Sequence, residues 1–234
     1  MRINKYISDT GFCSRRETNR LLKAGRITIN GLVCKGDAVV VPGDIVLIDG
    51  KVIPAKEEAI YIVLNKPAGI VCTAARHVPG NIIDYINHPS RIFAIGRLDK
   101  DSEGLILLTN DGDIVNKMMR SENGHEKEYW VTVDKLIKDD FIRAMSSGVD
   151  ILGVTTKPCE VIPLNEHEFR ITLTQGLNLQ IRRMCKALGY RVLRLERKRI
   201  MNITIEGLEQ GKWRDLTKEE VTILLNQLNG DGKG

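Results

Sequence analysis

At 234 residues, 42% hydrophobic and 28% charged, the chain is long enough to bury one substantial core plus a small appended module without covalent staples. Its cysteines (Cys13, Cys34, Cys72, Cys159 and Cys185) are odd in number and never paired as C-x-x-C, which excludes a disulfide framework or a zinc knuckle and is the pattern of reduced cytosolic thiols. The net charge of +5 is modest, no apolar run approaches membrane-spanning length and Met1 to Ile7 forms no apolar leader, so an unexported, cytoplasmic protein with no membrane partner is expected.

In chain order, Ile3, Tyr6 and Ile7 predict a short helix. Ser14 and Glu17 form a capping box that opens a second helix ending before Gly25, with Thr18, Leu21 and Leu22 on one side and Arg16, Arg20 and Lys23 on another. Arg26 to Gly31 predicts a strand closed by an Asn-Gly turn, and Pro42-Gly43 and Asp49-Gly50 bracket a further strand at 45–48. Residues 1–53 are therefore expected to be one module, and the polar stretch 54–59, without apolar periodicity, a linker. The larger domain, 60–229, has strand patterns at 60–64, 92–95, 105–109, 128–133, 168–174 and 190–195. Its helical patterns fall at 113–120, 138–147, 178–188 and 217–228, the last opening on the capping box Thr217/Glu220, and residues 230–234 are left as a tail. The expected fold class is α+β: a mixed, mainly antiparallel sheet flanked by helices, plus an amino-terminal module of helices and hairpins.

Charge is unevenly placed. Residues 1–26 hold seven Lys and Arg against Asp9 and Glu17, and residues 170–199 hold nine against Glu196, which suggests a surface for a polyanion. No phosphate loop, nucleophile elbow or dinucleotide fingerprint occurs, and the histidines His77, His88, His125 and His167 are far apart, so no metal or other cofactor is expected. The densest cluster of charge between apolar strands is Gly96-Arg97-Leu98-Asp99-Lys100-Asp101-Ser102-Glu103-Gly104-Leu105.

That segment resembles the signature of the pseudouridine synthases, in particular the branch that modifies ribosomal RNA and carries a small amino-terminal RNA-binding domain. Asn65-Lys66-Pro67-Ala68-Gly69, Glu126-Lys127-Glu128-Tyr129 and Gln180-Ile181-Arg182-Arg183-Met184 resemble further motifs of that family, in its order. Residues 1–50, with Cys13-Ser14-Arg15-Arg16, Gly25-Arg26 and Pro42-Gly43-Asp44, resemble the module named after a small-subunit ribosomal protein, S4. The resemblance implies that Asp99 is the catalytic carboxylate, Tyr129 the tyrosine that stacks on the target uracil, and Arg182 the cation paired with Asp99. Arg97, Lys127, Arg183 and Lys186, with Arg15, Arg16, Arg20, Lys23 and Arg26 of the module, are the expected RNA contacts. The implied reaction is cofactor-free isomerisation of one uridine in structured RNA, with large-subunit (23S) ribosomal RNA the first choice and a monomer expected. A transfer-RNA synthase and a non-catalytic ribosome-assembly factor are the alternatives. Ser102 stands where many relatives have Thr, and Leu179 where the branch usually has Arg.

Residue chemistry bears on two of these roles. A buried Asp99 needs a nearby cation to stay ionised. On a helix starting near Asn178, Ile181, Met184, Cys185 and Leu188 form the apolar stripe, so Arg182 borders it and Arg183 points nearly opposite. Tyr129, by contrast, reads from its apolar neighbours alone as an ordinary sheet tyrosine.

Overall fold

The computed structural model describes residues 1–75, 77–119 and 124–230. Contacts divide the chain into two compact units, one of residues 1–60, 88–92 and 110–112, the other of residues 61–87, 93–109 and 113–234. Past Gly230, the expected tail lies outside the described residues, as does the last residue of the helix expected at 113–120.

In the first unit, α1 (Ile3–Asp9) and α2 (Arg15–Lys23) bury Ile3, Ile7, Leu21 and Leu22 in one core with Ile27, Val46 and Ile48. The Ser14 hydroxyl accepts the Glu17 N–H at 3.1 Å, capping α2 as expected. Strands β1 (Ile27–Ile29), β2 (Leu32–Val33), β3 (Val46–Ile48) and β4 (Lys51–Val52) form an antiparallel sheet in the order β2-β1-β3-β4. Its two-residue turns are Asn30-Gly31 (φ 51° and 80°) and Asp49-Gly50 (φ 51° and 74°). Both turns need positive φ at both central residues, the geometry that matches the twist of paired strands. Residues 54–59 are exposed and outside any helix or strand. Asn110 ties their end, donating to the Glu58 carbonyl at 2.8 Å and accepting the Ile60 N–H at 2.8 Å.

The larger unit contains β5 (Tyr61–Lys66), α3 (Ile82–Ile86), β6 (Phe93–Ile95), β7 (Glu103–Thr109), α4 (Gly112–Met119, all but its first residue) and β8 (Lys127–Val133). Then come α5 (Asp139–Ser147), β9 (Asp150–Ile151), β10 (Val154–Thr155), β11 (Glu160–Pro163), β12 (Glu168–Leu173), α6 (Gln180–Ala187), β13 (Val192–Ile200), β14 (Ile203–Thr204), β15 (Trp213–Asp215) and α7 (Lys218–Gly230). The main sheet runs β11-β12-β8-β13-β7-β5-β15, with β14 on β13 and β6 on β7. β13 and β7 pair in parallel, whereas the neighbouring ladders are antiparallel. One core packs α5 and α6 against β8 and β12 through Phe141, Phe169, Ile181 and Met184; a second packs α4 and α7 against β5 and β7 through Ile114, Leu224, Val63 and Leu105. No described helix is long and apolar enough to cross a membrane.

The structure adds elements that periodicity does not reveal. α3 has five residues, too few for a helical repeat, and is defined by its ends: Asn81 accepts the Ile83 and Asp84 N–H groups at 3.1 and 2.9 Å, and Asn87 closes it at φ 50°. β13 continues to Ile200, through a charged run whose Glu196 is buried between Arg194 (3.0 Å) and Lys198 (2.7 Å). α6 begins at Gln180, two residues later than the apolar pattern places it, because Leu179 adopts a left-handed conformation, φ 52°.

Candidate active site

β7 is the seam on which the site is built. One edge pairs with β5 from Tyr61↔Thr109 to Lys66↔Gly104. The other is shared: β13 pairs in parallel at Glu103 and Gly104, while β6 takes Leu107 to Thr109. The loop 96–102, which carries Arg97 and Asp99, joins β6 to β7 where the partners diverge. Gly104 has φ 97°, and a Cβ there would stand 2.7 Å from the Arg197 nitrogen and closer still to its carbonyl oxygen. The backbones can meet only because this residue is glycine.

The loop is held from several sides. Leu98 is buried, and the Ser102 N–H donates to the Asp99 carbonyl at 3.1 Å. Beside it Lys66 is fully buried, its ammonium donating to the carbonyls of Pro67 (2.9 Å), Ile70 (3.0 Å) and Lys100 (3.2 Å), while the Gly69 N–H reaches the Lys100 oxygen at 2.8 Å. Burial pulls the Lys66 pKa below the usual lysine range, and Cys72, Asp101, Glu103 and Asp99 act in the opposite direction. Lys66 therefore fixes the backbone beside Asp99, a role the sequence motif alone does not assign.

A cleft of about 380 Å³ opens beside the loop, lined among others by Asp99, Lys127, Tyr129, Leu179 and Arg197. Strand alternation places Lys127 and Tyr129 on the same face of β8, with Trp130 on the other, and Tyr129 lies opposite Arg197 in the ladder. Arg197 is only 4% exposed. Its Nε donates to the Leu105 carbonyl at 2.7 Å, between the stretches of β7 paired by β13 and β6, and its guanidinium carbon lies 5.9 Å from the centre of the Tyr129 ring. Its Nη2 is buried without a hydrogen-bond partner among the described residues. Lys127 donates to the His125 carbonyl at 3.1 Å, and burial, followed by the charge of Arg197, lowers its pKa. Sequence does not single out Arg197, which is one of six consecutive residues, 194–199, of which five are charged.

Arg182 and Arg183 part as helix geometry expects. Arg182 reaches the loop that carries Asp99, its Nη2 lying 3.3 Å from the Asp101 carbonyl and 3.4 Å from the Ser102 hydroxyl. The expected ion pair between Arg182 and the Asp99 carboxylate is not formed among the described residues: the guanidinium meets the turn after Asp99 instead. Arg183 turns back to Asn178, donating to its carbonyl at 3.0 Å and its side-chain oxygen at 3.2 Å. Lys186 and Arg97 are exposed.

The second basic segment is less free than its charge suggests. Arg170 pairs with Glu160, Arg191 with Asp134, Arg194 with Glu103 and Glu196, Lys198 with Glu196, and Arg199 with Glu126 and Glu128. In the other unit Arg20 meets Glu17 at 3.0 Å and Arg26 meets Asp49 at 2.8 Å, whereas Arg15, Arg16 and Lys23 are exposed. Asp99, Lys127, Tyr129 and Arg97 thus line one cleft, Arg182 abuts its loop, and the five module residues belong to the other unit. Among the described residues no group of His, Cys, Asp or Glu is placed to hold a metal ion.

Comparison with known proteins matches residues 60–187 to the RNA pseudouridylate synthase family and residues 1–46 to the S4 domain. The chain is 53% identical, over 98% of its length and 80% of the relative's, to the dual-specificity RNA pseudouridine synthase RluF of Salmonella typhi. It is 34% identical to the ribosomal large subunit pseudouridine synthase B of Bacillus subtilis, covering 95% of both chains. A crystal structure of a pseudouridylate synthase superimposes with a TM-score of 0.71 at 29% identity, over 96% of this chain and 99% of that one.

Proposed function

The chain belongs to the RNA pseudouridylate synthase family, and we propose that Asp99 is the carboxylate through which it isomerises uridine to pseudouridine. The observation that carries this is that Asp99, on a braced loop, lines the same cleft as Tyr129, Lys127 and Arg197. The protein is an isomerase: the ribose C1′–N1 bond of a uridine is exchanged for a C1′–C5 bond. Taking the nucleotide out of its RNA context costs a few kcal/mol, offset by stacking and phosphate contacts. Tyr129, on the cleft wall, supplies the aromatic face for the uracil and a phenol near its C5 proton. Asp99 opens the reaction, the freed uracil turns in the cleft, C5 rejoins the sugar, and its proton is lost. Arg182 acts through the loop, holding the Asp101 carbonyl and Ser102 hydroxyl rather than the reacting atoms.

Residues 1–53, with exposed Arg15, Arg16 and Lys23, serve as a separate RNA anchor, 54–59 as its linker and 60–229 as the catalytic domain. The RNA is ribosomal, and the B. subtilis relative's name favours the large subunit, 23S. The 53%-identical relative is named a dual-specificity enzyme, which leaves room for a second target here, and transfer RNA is the alternative substrate weighed from the sequence. Mapping pseudouridines in both RNAs from cells with and without the gene tests this. Loss of one large-subunit site is expected; unchanged ribosomal RNA would overturn the target assignment.

A further inference from the structure

The cleft wall carries a donor that has no acceptor among the described residues. Arg197 is buried, its Nε is committed to the Leu105 carbonyl, and its Nη2 has no acceptor among the described residues. An unsatisfied buried donor on a charged group is costly, on the order of 1–3 kcal/mol or more, so its persistence on a cleft wall marks a place where a ligand atom completes it. The Lys127 ammonium lines the same cleft, its pKa lowered first by burial and then by the charge of Arg197. Neither forms an ion pair with an acidic side chain among the described residues. Two cations, one orphaned N–H and the aromatic ring beside Arg197 line one cleft and make a site for a flat, anionic, oxygen-bearing ring.

We propose that Arg197, with Lys127, receives the uracil as it detaches from the ribose, Nη2 donating to a ring carbonyl oxygen on which negative charge gathers. The inference rests on the reading of Asp99 as the group that opens the reaction. When C1′–N1 breaks, as the Asp99 carboxylate bonds C1′, the electron pair stays on the ring as a uracil monoanion whose charge is shared by N1, O2 and O4. C5 of the turned anion then bonds C1′ and the carboxylate leaves. The C5 proton passes to a base and N1 takes up a proton, so nothing is oxidised and no group is lost. Fixed cations aimed at the charge that develops in a water-poor site accelerate bond cleavage, and removing one such donor typically slows a reaction about 10²- to 10³-fold. A phosphate contact is disfavoured by the burial of Arg197, since groups that track an RNA backbone lie at the surface.

The test compares the full-length protein with Arg197→Met, Arg197→Lys and Lys127→Met in single turnover at saturating RNA, the target position being uridine or 5-fluorouridine. Fluorine withdraws electrons and stabilises the departing anion, so it replaces part of what the cations supply. Cleavage is followed as loss of the N-linked nucleoside from nuclease digests. With uridine, both Met variants should slow cleavage by about 10²-fold or more, and Arg197→Lys should recover part of the loss. With 5-fluorouridine the deficit should shrink by roughly tenfold, which is about 1.4 kcal/mol of barrier. Equal deficits on the two substrates would overturn the proposal, as would weakened binding with a salt slope lower by one phosphate's worth and normal chemistry. Should Arg197→Met fail to fold, Lys127→Met on the two substrates decides alone. Asp99→Asn, run alongside, tests the separate assignment: turnover by that variant would overturn the role of Asp99.

Discussion

Replacing Gly104 with Ala strikes the point where the Asp99 loop and the Arg197 strand are joined. The new Cβ would meet the Arg197 backbone, 2.7 Å from its nitrogen, in a residue held at φ 97°. Strain at such a φ costs about 1–3 kcal/mol, and a clash in a packed interior about 1–3 kcal/mol more. Backbone in a ladder cannot swing aside, so the sum falls toward the upper end, roughly 4–6 kcal/mol. For a protein of this size 1 kcal/mol is about 2–4 °C in Tm, so a drop of roughly 10–20 °C is expected. Gly96→Ala is the control: its φ is 78°, but among the described residues its Cβ would meet only the sulfur and terminal methyl of exposed Met119, nearest at 3.2 Å. That variant should lose roughly 1–2 kcal/mol, the cost of left-handed strain alone. Thermal unfolding followed by circular dichroism measures both. A Gly104→Ala protein no less stable than Gly96→Ala would refute the idea that close strand approach places the site.

Glu220→Gln should weaken the start of α7 by about 0.5–1 kcal/mol at pH 7, since the amide keeps one oxygen for the Thr217 N–H but loses the charge and one of the two 2.8 Å bonds to Arg214. The Arg214 hydrogen bond holds the Glu220 pKa below its ordinary 4.5, so its contribution is present above that pH and is lost as pH falls through the folded-state value; denaturation midpoints across pH should show wild type and variant converging in acid. Deleting residues 1–53 should flatten the salt dependence of RNA binding by roughly 0.7–0.9 log units for each phosphate that the module neutralises. With Arg15, Arg16 and Lys23 each on one phosphate, a decrease of about 2–3 in slope is expected from filter-binding titrations, and an unchanged slope would assign the module another role.

Much of the scaffold is legible because local chemistry dictates it. Asn30-Gly31 and Asp49-Gly50 must turn as they do, and Ser14/Glu17 and Thr217/Glu220 mark helix starts that the hydrogen bonds repeat. The charged half of β13 is hidden because Arg194, Glu196 and Lys198 neutralise one another within the sheet, a cancellation that hydropathy does not see. Arg197 is hidden for the same reason: its neighbours look like solvent-facing charge, and only its register opposite Tyr129 turns it into the cleft. The apolar stripe of α6 is enough to place Arg182 beside the core, yet which atom it meets depends on the path of the 96–102 loop, set by Lys66 and Gly104 through partners distant in sequence.

If Asp99 carries the chemistry as proposed, Asp99→Asn isolates its contribution. The substitution keeps size and shape but removes the carboxylate, and Asp99 makes no ion pair among the described residues, so stability and RNA affinity should stay within a few-fold of wild type. Release of tritium from RNA labelled at uracil carbon-5 follows the one hydrogen the isomerisation displaces. Wild-type protein should release it stoichiometrically with pseudouridine formed, and Asp99→Asn should release none above background. Substantial release by the Asn variant would contradict the account.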